Sequence, residues 1–378
     1  MNFQNKYQVC TRCVMDTTDH LIKFDKMGVC NHCTAAIEKL KTITFETEKD
    51  REIALNVILD RIKENGKGNK YDCIIGLSGG VDSSYLAFIV KKLGLRPLAI
   101  HIDNGWNSEL AVKNIENIVK KLNIDLYTHV IDWEEFKALQ LSFLKASVID
   151  LEMLSDNAIV VGIYHLLKKF KVKYFIDGTN YAAESIMPST WFYVPKYDSL
   201  NIKSIFKLFG DGRRLKTFPL LNIKEYIRYR YFKKGESISL LNYITYNKVD
   251  AHKALQDELD WKDYGGKHYE SKITHFYQAY ILPTKFNVDK RKAHLSSLIC
   301  SGQMTREEAV KELKNELYDP IKFQEDKEYF IKKLNLTEKE FENIMHAPIK
   351  QHFDYPAYQL LHKQLGRALK KYLPKKRP

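Results

Sequence analysis

The sequence lacks any apolar run that approaches the roughly 20 residues needed to cross a membrane. Its first residues, Met1 to Lys6, contain no apolar core of the kind that secretory signals carry. It also has no internal repeat and no low-complexity tract. With no signal for export or insertion, we expect a cytoplasmic protein that acts without a membrane.

Acidic residues are the scarcer charge. There are 47 Asp and Glu against 60 Lys and Arg, so the net charge is +13. Such a balance favours an anionic partner, for example a nucleic acid or a nucleotide-linked substrate. Most of the lysines are scattered, however, as on an ordinary solvated surface. The C-terminal cluster from Lys370 to Arg377 is interpreted as a solubilising end.

Cysteine is scarce too, but four of the six cysteines lie in the first 33 residues as two pairs. The pairs are Cys10/Cys13 and Cys30/Cys33, a spacing at which four thiolates converge on Zn²⁺. Disulfides fit poorly, because nothing indicates export and the cytosol keeps thiols reduced. An iron–sulfur cluster uses the same ligands and stays open, although the spacing favours zinc. Since four thiolates leave no open position, we predict a structural zinc knuckle over residues 1–36.

Residues 37–69 are charged and helical in pattern, which predicts a connector ending in a Gly66–Lys70 hinge. Beyond it, short apolar runs alternate with amphipathic segments. The predicted strands are 73–77, 97–102, 126–131 and 174–177, with helices at 83–93, 108–122, 133–146 and 156–170 between and after them. This alternation predicts an α/β fold with a doubly wound parallel sheet over residues 70–240. Residues 241–378 predict a mainly helical region that contributes to the substrate site, with capping boxes at Thr305/Glu308 and Thr337/Glu340.

A glycine turn follows the first predicted strand, with the sequence Leu77-Ser78-Gly79-Gly80-Val81-Asp82-Ser83-Ser84. Glycines let backbone N–H groups approach a ligand, and the start of the next helix adds unpaired donors, so the turn can hold an anion. The Gly-Lys-Ser/Thr ending of the ordinary P-loop is missing, which disfavours a γ-phosphate hydrolase. A plain capped helix is the alternative, although a cap needs no paired glycines.

Two other predicted strand ends carry polar residues: His101 and Asp103 on the second, and Gly178-Thr179-Asn180 after the fourth. Ligands of such sheets bind beyond the carboxyl ends of the strands. We therefore expect these two segments and the glycine turn to line one cleft.

The turn resembles the Ser-Gly-Gly-x-Asp-Ser signature of the PP-loop ATP pyrophosphatases. That family splits ATP between the α and β phosphates and activates a substrate oxygen as an adenylate. The resemblance implies that Leu77 to Ser84 bind ATP, and we expect Asp82 to hold Mg²⁺, with a helix cap as the alternative. Gly178 to Glu184 resembles a segment of NAD synthetase, which implies that Thr179 contacts the nucleotide. The same likeness makes Glu184 a second Mg²⁺ ligand or, alternatively, a surface residue.

Two basic runs, Lys267–Lys272 and Lys285–His294, suit a site that meets phosphates, although charge runs are often solvated helix faces. The candidate catalytic residues are Asp82, Lys267, Lys285 and Asp289. Lys267 and Lys285 are chosen to neutralise charge on departing pyrophosphate.

The chain as a whole resembles the N-acetyl sugar amidotransferase family, the PP-loop group that includes WbpG and PseA. The matching segments are Cys10–Asp16, Leu77–Ser84, Gly178–Glu184, Gly266–Ser271, Lys285–His294 and Ser301–Arg306. The resemblance implies an ATP-dependent, AMP-forming conversion of an acetamido group into an acetamidino group. The substrate would be a nucleotide-linked N-acetyl sugar destined for bacterial lipopolysaccharide, O-antigen or nonulosonic acid.

Ammonia for this reaction needs a source. Position 2 is Asn2, and neither Cys73 nor Cys300 lies in a recognisable nucleophile motif, so we expect separate glutaminase and ammonia-channel subunits. The rival interpretation is a tRNA-modifying enzyme of the thiolation type, which also joins a PP-loop to paired cysteines. We expect no nucleic-acid partner, because no compact basic domain is visible and all four paired thiols are expected on the metal. A zinc-knuckle nucleic-acid-binding protein fits less well, since it has no use for an intact phosphate loop.

Overall fold

A computed structural model describes residues 7–232, 235–264 and 271–360. At its centre lies a parallel five-stranded sheet in the order β3-β2-β1-β4-β5. The strands are β1 (Cys73–Gly76), β2 (Pro97–Asp103), β3 (Asp125–Val130), β4 (Tyr174–Asp177) and β5 (Glu236–Ser239). The α/β parallel-sheet prediction is confirmed.

The helices before the fifth strand are α1 (Asn31–Lys41), α2 (Glu48–Asn65), α3 (Val81–Lys92), α4 (Glu109–Leu122), α5 (Trp133–Ala146), α6 (Met153–Lys169), α7 (Tyr181–Glu184), α8 (Ser199–Phe209) and α9 (Ile223–Phe232). Those after it are α10 (Lys248–Leu259), α11 (Lys272–Phe276), α12 (Leu282–Phe286), α13 (Lys290–Cys300), α14 (Arg306–Glu312), α15 (Pro320–Lys333) and α16 (Glu338–His346). A 3₁₀ turn follows β5 at Leu240–Tyr243, a π-helical turn joins α11 to α12 at Tyr277–Ile281, and another 3₁₀ turn lies at His352–Asp354. The C-terminal part is helical, as expected. None of the helices in the described ranges is long and apolar enough to span a membrane.

Both faces of the sheet are covered, because strand side chains alternate between two cores. Cys73 and Ile75 of β1 pack in a core with α2, α3, α4 and α10. Ile74, between them, packs against α6 together with Ile100 of β2. Strands buried on both faces are apolar throughout, and for this reason β1 was visible in the sequence.

Three elements differ from the expected ones. The connector is divided into α1 and α2, and α1 begins inside the second cysteine pair because Cys30 caps it. Helix α6 begins three residues before the predicted start. Strand β5 was missed because only one of its four residues is apolar. Its Ser237 and Ser239 hydroxyls donate to Asp177 of β4 at 2.5 and 2.8 Å.

Capping boxes were predicted for two C-terminal helices, and the structure contains both. Thr305 and Glu308 satisfy each other's backbone N–H groups at the start of α14. Thr337 and Glu340 do the same at the start of α16. These boxes fix where the two helices begin.

Candidate active site

The glycine turn leaves the first amides of α3 without a side-chain cap. Gly80 occupies the cap position with extended backbone and contributes no side-chain hydrogen bond. The hydroxyls of Ser78 and Ser83 lie 3.0 Å apart, and Ser83 Oγ also donates to Gly80 O at 3.1 Å. An uncapped helix start next to two hydroxyls is a site for an oxyanion.

Gly79 is held in a conformation that a side chain would disturb. Its φ is +85°, and a Cβ atom would lie 2.7 Å from the Ala111 carbonyl oxygen. The Gly79 carbonyl accepts hydrogen bonds from Trp261 Nε1 at 2.8 Å and from the Tyr264 hydroxyl at 2.6 Å. Trp261 and Tyr264 were not among the predicted site residues, because their role depends on a contact across about 180 positions of the chain.

Asp82 lies in the first turn of α3 and accepts a hydrogen bond from the Tyr246 hydroxyl. Burial and the neighbouring carboxylate both raise the pKa of Tyr246, so the phenol stays protonated and donates. Gly178, at the end of β4, packs against Asp82, because a Cβ atom there would lie 3.4 Å from the Asp82 backbone. The end of β4 thus lies against the first turn of α3. Ser84, two residues after Asp82, is fully buried and lies inside the helix packing.

His101 is engaged through both ring nitrogens. Nδ1 lies 3.0 Å from Leu77 O, and Nε2 lies 3.1 Å from Asn107 Nδ2. Burial lowers the pKa of His101, so the ring is neutral, donates from Nδ1 to the carbonyl and accepts at Nε2. Asp103 accepts from the amide of Gly105 at 3.0 Å and from Asn107 at 3.3 Å. Both residues therefore order the glycine turn at Leu77 and the loop at Gly105 and Asn107.

A cavity of about 800 Å³ extends from the glycine turn across the carboxyl ends of the strands to the C-terminal helices. Its wall includes Leu77, Ser78 and Ser83 of the turn. The polar residues that later parts of the chain contribute to the wall are His101, Asn104, Asn107, Glu152, Ser155, Asp156, Glu184, Ser271, Thr274, His275, Gln278, Asp289, Lys290, Arg291, His294, Glu312 and Glu316. The space is large enough for a nucleotide and part of a second substrate, since ligand sites commonly occupy roughly 300–1,000 Å³.

The segment after β4 approaches this cavity through its helix. Thr179 N donates to Asp177 at 3.0 Å, which shapes the turn, while Glu184 lies at the end of α7 and lines the cavity. Helix α7 packs against the C-terminal end of α13, where Ser301 Oγ donates to Ala182 O at 2.7 Å. Glu184 therefore faces the same space as Ser78 and Ser83.

The basic run around α13 divides into residues with different surroundings. Lys285 Nζ donates to the carbonyls of Ile344, Met345 and Ala347, the last at 3.1 Å, so it caps the C-terminal end of α16. It is not among the described residues that line the cavity. Asp289 lines the cavity but caps α13 and holds Arg291 through both carboxylate oxygens. Lys267 lies outside the described residues.

The four paired cysteines form one buried cluster in which the ligand atoms all lie within 4.8 Å of one another. The sulfur atoms of Cys10 and Cys33 are 3.8 Å apart, as are those of Cys13 and Cys30. Backbone amides point at the sulfurs, for example Cys30 N at 3.2 Å from Cys10 Sγ. Converging soft ligands with amide donors around them fit a tetrahedral zinc ion, and none of the four is in a disulfide.

This knuckle packs against α13, which carries part of the cavity wall. Arg306 donates to the carbonyls of Cys10 and Cys13 at 3.3 and 3.2 Å. Lys292 of α13 pairs with Asp16 at 2.5 Å, and Ser296 accepts from Val14 N at 3.2 Å. The cysteine cluster is thus linked to the helix that presents Lys290, Arg291 and His294 to the cavity.

Two family models match the chain. Residues 72–165, which contain the glycine turn, match the queuosine biosynthesis protein QueC. Residues 270–370 match the LPS biosynthesis protein WbpG-like C-terminal domain. The chain joins a PP-loop ATP pyrophosphatase-like domain to a WbpG-like C-terminal domain. The PP-loop is the turn from Leu77 to Ser84, and α13 belongs to the WbpG-like part.

Curated relatives match shorter stretches. A protein of Methanocaldococcus jannaschii is 28% identical over 119 residues, which is 31% of this chain and 40% of the relative. The cytoplasmic tRNA 2-thiolation protein 1 of Lodderomyces elongisporus is 23% identical over 206 residues, covering 50% and 53%. A tRNA(Ile)-lysidine synthase of Chlamydia pneumoniae is 33% identical over 64 residues, covering 16% and 20%. The chain therefore spans about half or less of the length of these relatives.

Among solved structures, the NAD⁺ synthetase of Burkholderia pseudomallei is 14% identical, with 82% of this chain and 97% of that chain covered, at a TM-score of 0.31. The NH₃-dependent NAD synthetase of Campylobacter jejuni is 19% identical, with 55% and 84% covered, at a TM-score of 0.29. Scores this low add no argument about function.

Proposed function

We propose that the chain is an ATP-dependent, AMP-forming carbon–nitrogen ligase that converts the acetamido group of an N-acetyl sugar into an acetamidino group. One observation carries the proposal. A single cavity begins at the PP-loop and ends on α11 and α13 of the WbpG-like part. Such a cavity suits ATP at one end and a second substrate at the other, with the α-phosphorus between them.

The chemistry follows from the poor leaving ability of an amide oxygen. The acetamido oxygen attacks the α-phosphorus of ATP, the bond to the β-phosphate breaks, and pyrophosphate leaves. The resulting imidate carries AMP on its former carbonyl oxygen. Ammonia then attacks the imidate carbon, AMP departs, and the amidine remains. Preorganised donors accelerate such steps when they face the charge that develops.

In this scheme the uncapped amides of α3 and the hydroxyls of Ser78 and Ser83 hold phosphate oxygens. Asp82 and Glu184 would hold Mg²⁺, which neutralises phosphate charge when bound. Thr179 meets the nucleotide, and Lys267 is kept as a candidate for pyrophosphate. For Lys285 we propose the capping role that its three carbonyl contacts support.

We propose that ammonia comes from a separate glutaminase subunit, and that the sugar is carried on a nucleotide. The match to the WbpG-like C-terminal domain of LPS biosynthesis proteins supports a role in lipopolysaccharide biosynthesis. Incubating the isolated chain with glutamine in place of ammonium tests the first point. Glutamine-dependent turnover without a partner would contradict it.

The proposal as a whole is tested by product analysis. The chain is incubated with ATP, Mg²⁺, ammonium and a panel of nucleotide-linked N-acetyl sugars. We expect AMP and pyrophosphate together with a sugar in which mass spectrometry finds oxygen replaced by NH. ADP and inorganic phosphate as the products, or no altered sugar with the whole panel, would reject it.

A second candidate is a tRNA-modifying enzyme, because two of the partial relatives are named for tRNA thiolation and lysidine synthesis and the net charge is +13. All four paired cysteines lie in the buried cluster, so they are not available for sulfur transfer. Binding of tRNA that weakens steeply with salt would favour this candidate.

A further inference from the structure

The proposed reaction needs a group that accepts a proton, and this inference rests on the proposed function. When ammonia adds to the imidate carbon, its nitrogen gains a bond and a positive charge. One proton must leave that nitrogen before the carbon–oxygen bond to AMP can break. General bases that perform such transfers contribute about 100- to 10,000-fold to a rate.

Two acids of the cavity wall are already committed through both oxygens. Glu152 accepts from Gln278 Nε2 at 2.8 Å through one oxygen and pairs with Lys290 Nζ at 2.6 Å through the other. Asp289 binds Arg291 through both oxygens and also caps α13. Both oxygens of each carboxylate are therefore engaged by neighbouring side chains.

The histidines and remaining acids of the wall fit no better. Each histidine has a partner at Nδ1: His101 with Leu77 O, His294 with Ala183 O, and His275 with Asp326. His101 is also engaged at Nε2 by Asn107, and His275 and His294 each have a further interaction within the protein. Glu312 and Glu316 are exposed to solvent, and Glu184 is the residue proposed above as a Mg²⁺ ligand.

Asp156, on α6, has the required properties. Its Oδ2 lies 3.0 Å from Lys196 Nζ, while no hydrogen bond to Oδ1 occurs within the part of the chain that the structure describes. The side chain is 42% exposed and lines the cavity. One oxygen is thus anchored and the other is open to a ligand.

The surroundings of Asp156 keep it both fixed and basic. Lys196 is held from behind by the buried carboxylate of Asp150 at 2.5 Å. Burial by the surrounding protein raises the pKa of Asp156, whereas the positive charge of Lys196 lowers it. The negative charges of Asp150 and Glu152 raise the pKa further. A carboxylate of raised basicity is a better acceptor for a proton from nitrogen.

We propose that Asp156 is the catalytic base of the ammonia step. Its Oδ1 takes the proton from the attacking nitrogen, so an N–H bond breaks and an O–H bond forms. The carbon–oxygen bond to AMP then breaks, the electron pair leaves with AMP, and the amidine retains the positive charge. Asp156 returns the proton to water before the next cycle.

The test compares Asp156→Asn with Asp60→Asn, which removes the same charge from an exposed position on α2. Lys196 keeps its partner Asp150 in the first variant, and thermal unfolding of both checks that they are folded. AMP formation and amidine formation are measured separately with ATP, Mg²⁺, ammonium and the N-acetyl sugar. We expect Asp156→Asn to form AMP at nearly the wild-type rate while amidine falls by about 100-fold or more, because water returns the adenylate to the amide.

Hydroxylamine supplies the second measurement, since its protonated adduct is more acidic and needs a base less. We expect it to restore product in Asp156→Asn, with Asp60→Asn like wild type throughout. Retained amidine formation in folded Asp156→Asn would overturn the assignment, as would loss of AMP together with amidine, or failure of hydroxylamine to restore product. If wild type forms no AMP with any N-acetyl sugar, the proposed function fails instead, and the two failures are distinguishable.

Discussion

Replacing Gly79 with alanine perturbs the PP-loop at its most constrained point. The residue has φ of +85°, and an added Cβ would lie 2.7 Å from Ala111 O and 2.9 Å from the Tyr264 hydroxyl. The first contact is with backbone, which cannot move without disturbing α4. We therefore expect the loop to shift away from its present path, taking the uncapped amides of α3 with it.

The magnitude can be separated into two parts with Gly68→Ala as the matched control. Gly68 has φ of +76°, but nothing lies within 4 Å of its Cβ position. Both variants carry the cost of a left-handed L-residue, about 1–2 kcal/mol. Gly79→Ala alone adds the clash, and overpacking costs about 1–3 kcal/mol. The difference between the two free energies of unfolding should therefore be about 1–3 kcal/mol.

Urea unfolding gives these free energies, and calorimetric titration gives the affinity for Mg·ATP. We expect Gly68→Ala to bind ATP like wild type and Gly79→Ala to lose most of its binding. If Gly79→Ala bound ATP with unchanged affinity, the phosphate site would not be in this turn. Equal stability of the two variants would show that the Ala111 contact is relieved without cost.

Four further outcomes are expected. Tyr246→Phe should raise the KM for Mg·ATP about tenfold, equivalent to about 1.4 kcal/mol, because Asp82 loses its hydrogen bond. Tyr85→Phe is the control, since its ring centroid lies 5.7 Å from that of Tyr246, and it should leave the KM unchanged. Unchanged steady-state kinetics in Tyr246→Phe would show that the hydrogen bond does not contribute to ATP binding. Cys13→Ser should lose bound zinc, lower the melting temperature and weaken activity, because the cysteine cluster supports α13. Metal analysis and calorimetry check this, and a metal-free variant of full stability would refute a structural role. Lys285→Met should lower the free energy of unfolding by about 1–2 kcal/mol with little change in kcat, since the lysine caps α16. A large fall in kcat with unchanged stability would restore Lys285 as a catalytic candidate. Glu135→Gln should cost about 1–3 kcal/mol at neutral pH, measured by urea unfolding across pH.

The pH dependence of that last variant follows from the four hydrogen bonds that Glu135 accepts from residues 216–218, at 2.8 to 3.0 Å. Although burial opposes it, these bonds lower the pKa of Glu135 below its unfolded value of about 4.3. A lowered pKa means that the stabilisation is complete above about 4.3 and is lost as the pH falls through the folded pKa. Wild type and Glu135→Gln should therefore converge in strongly acidic solution. A constant difference down to that range would contradict the argument.

The sheet and the PP-loop could be predicted because their signals are local. An apolar strand such as Cys73–Gly76, two glycines and a helix start are all visible within a dozen residues. The cysteine cluster is likewise set by two short pairs and a spacer. In contrast, β5 is short and polar, and it is a strand because Ser237 and Ser239 meet Asp177 across the sheet.

The rest of the candidate site depends on contacts between distant residues. Trp261 and Tyr264 order Gly79 from about 180 residues further along the chain, and Lys196 reaches Asp156 from a loop. Charge alone was a poor guide in the basic run, because Lys285 faces the end of a helix while Lys290 faces the cavity. The predicted boundaries at residues 36, 69 and 240, and the roles of the individual site residues, stay predictions.

The central claim is that the acetamido oxygen of a sugar attacks the α-phosphorus of ATP. The most direct measurement uses an N-acetyl sugar labelled with ¹⁸O in its acetamido carbonyl, incubated with ATP, Mg²⁺ and ammonium. The account predicts that the label appears in the phosphate of AMP, one heavy oxygen for each amidine formed. Label that stays in the sugar, or that is found in inorganic phosphate, would contradict it.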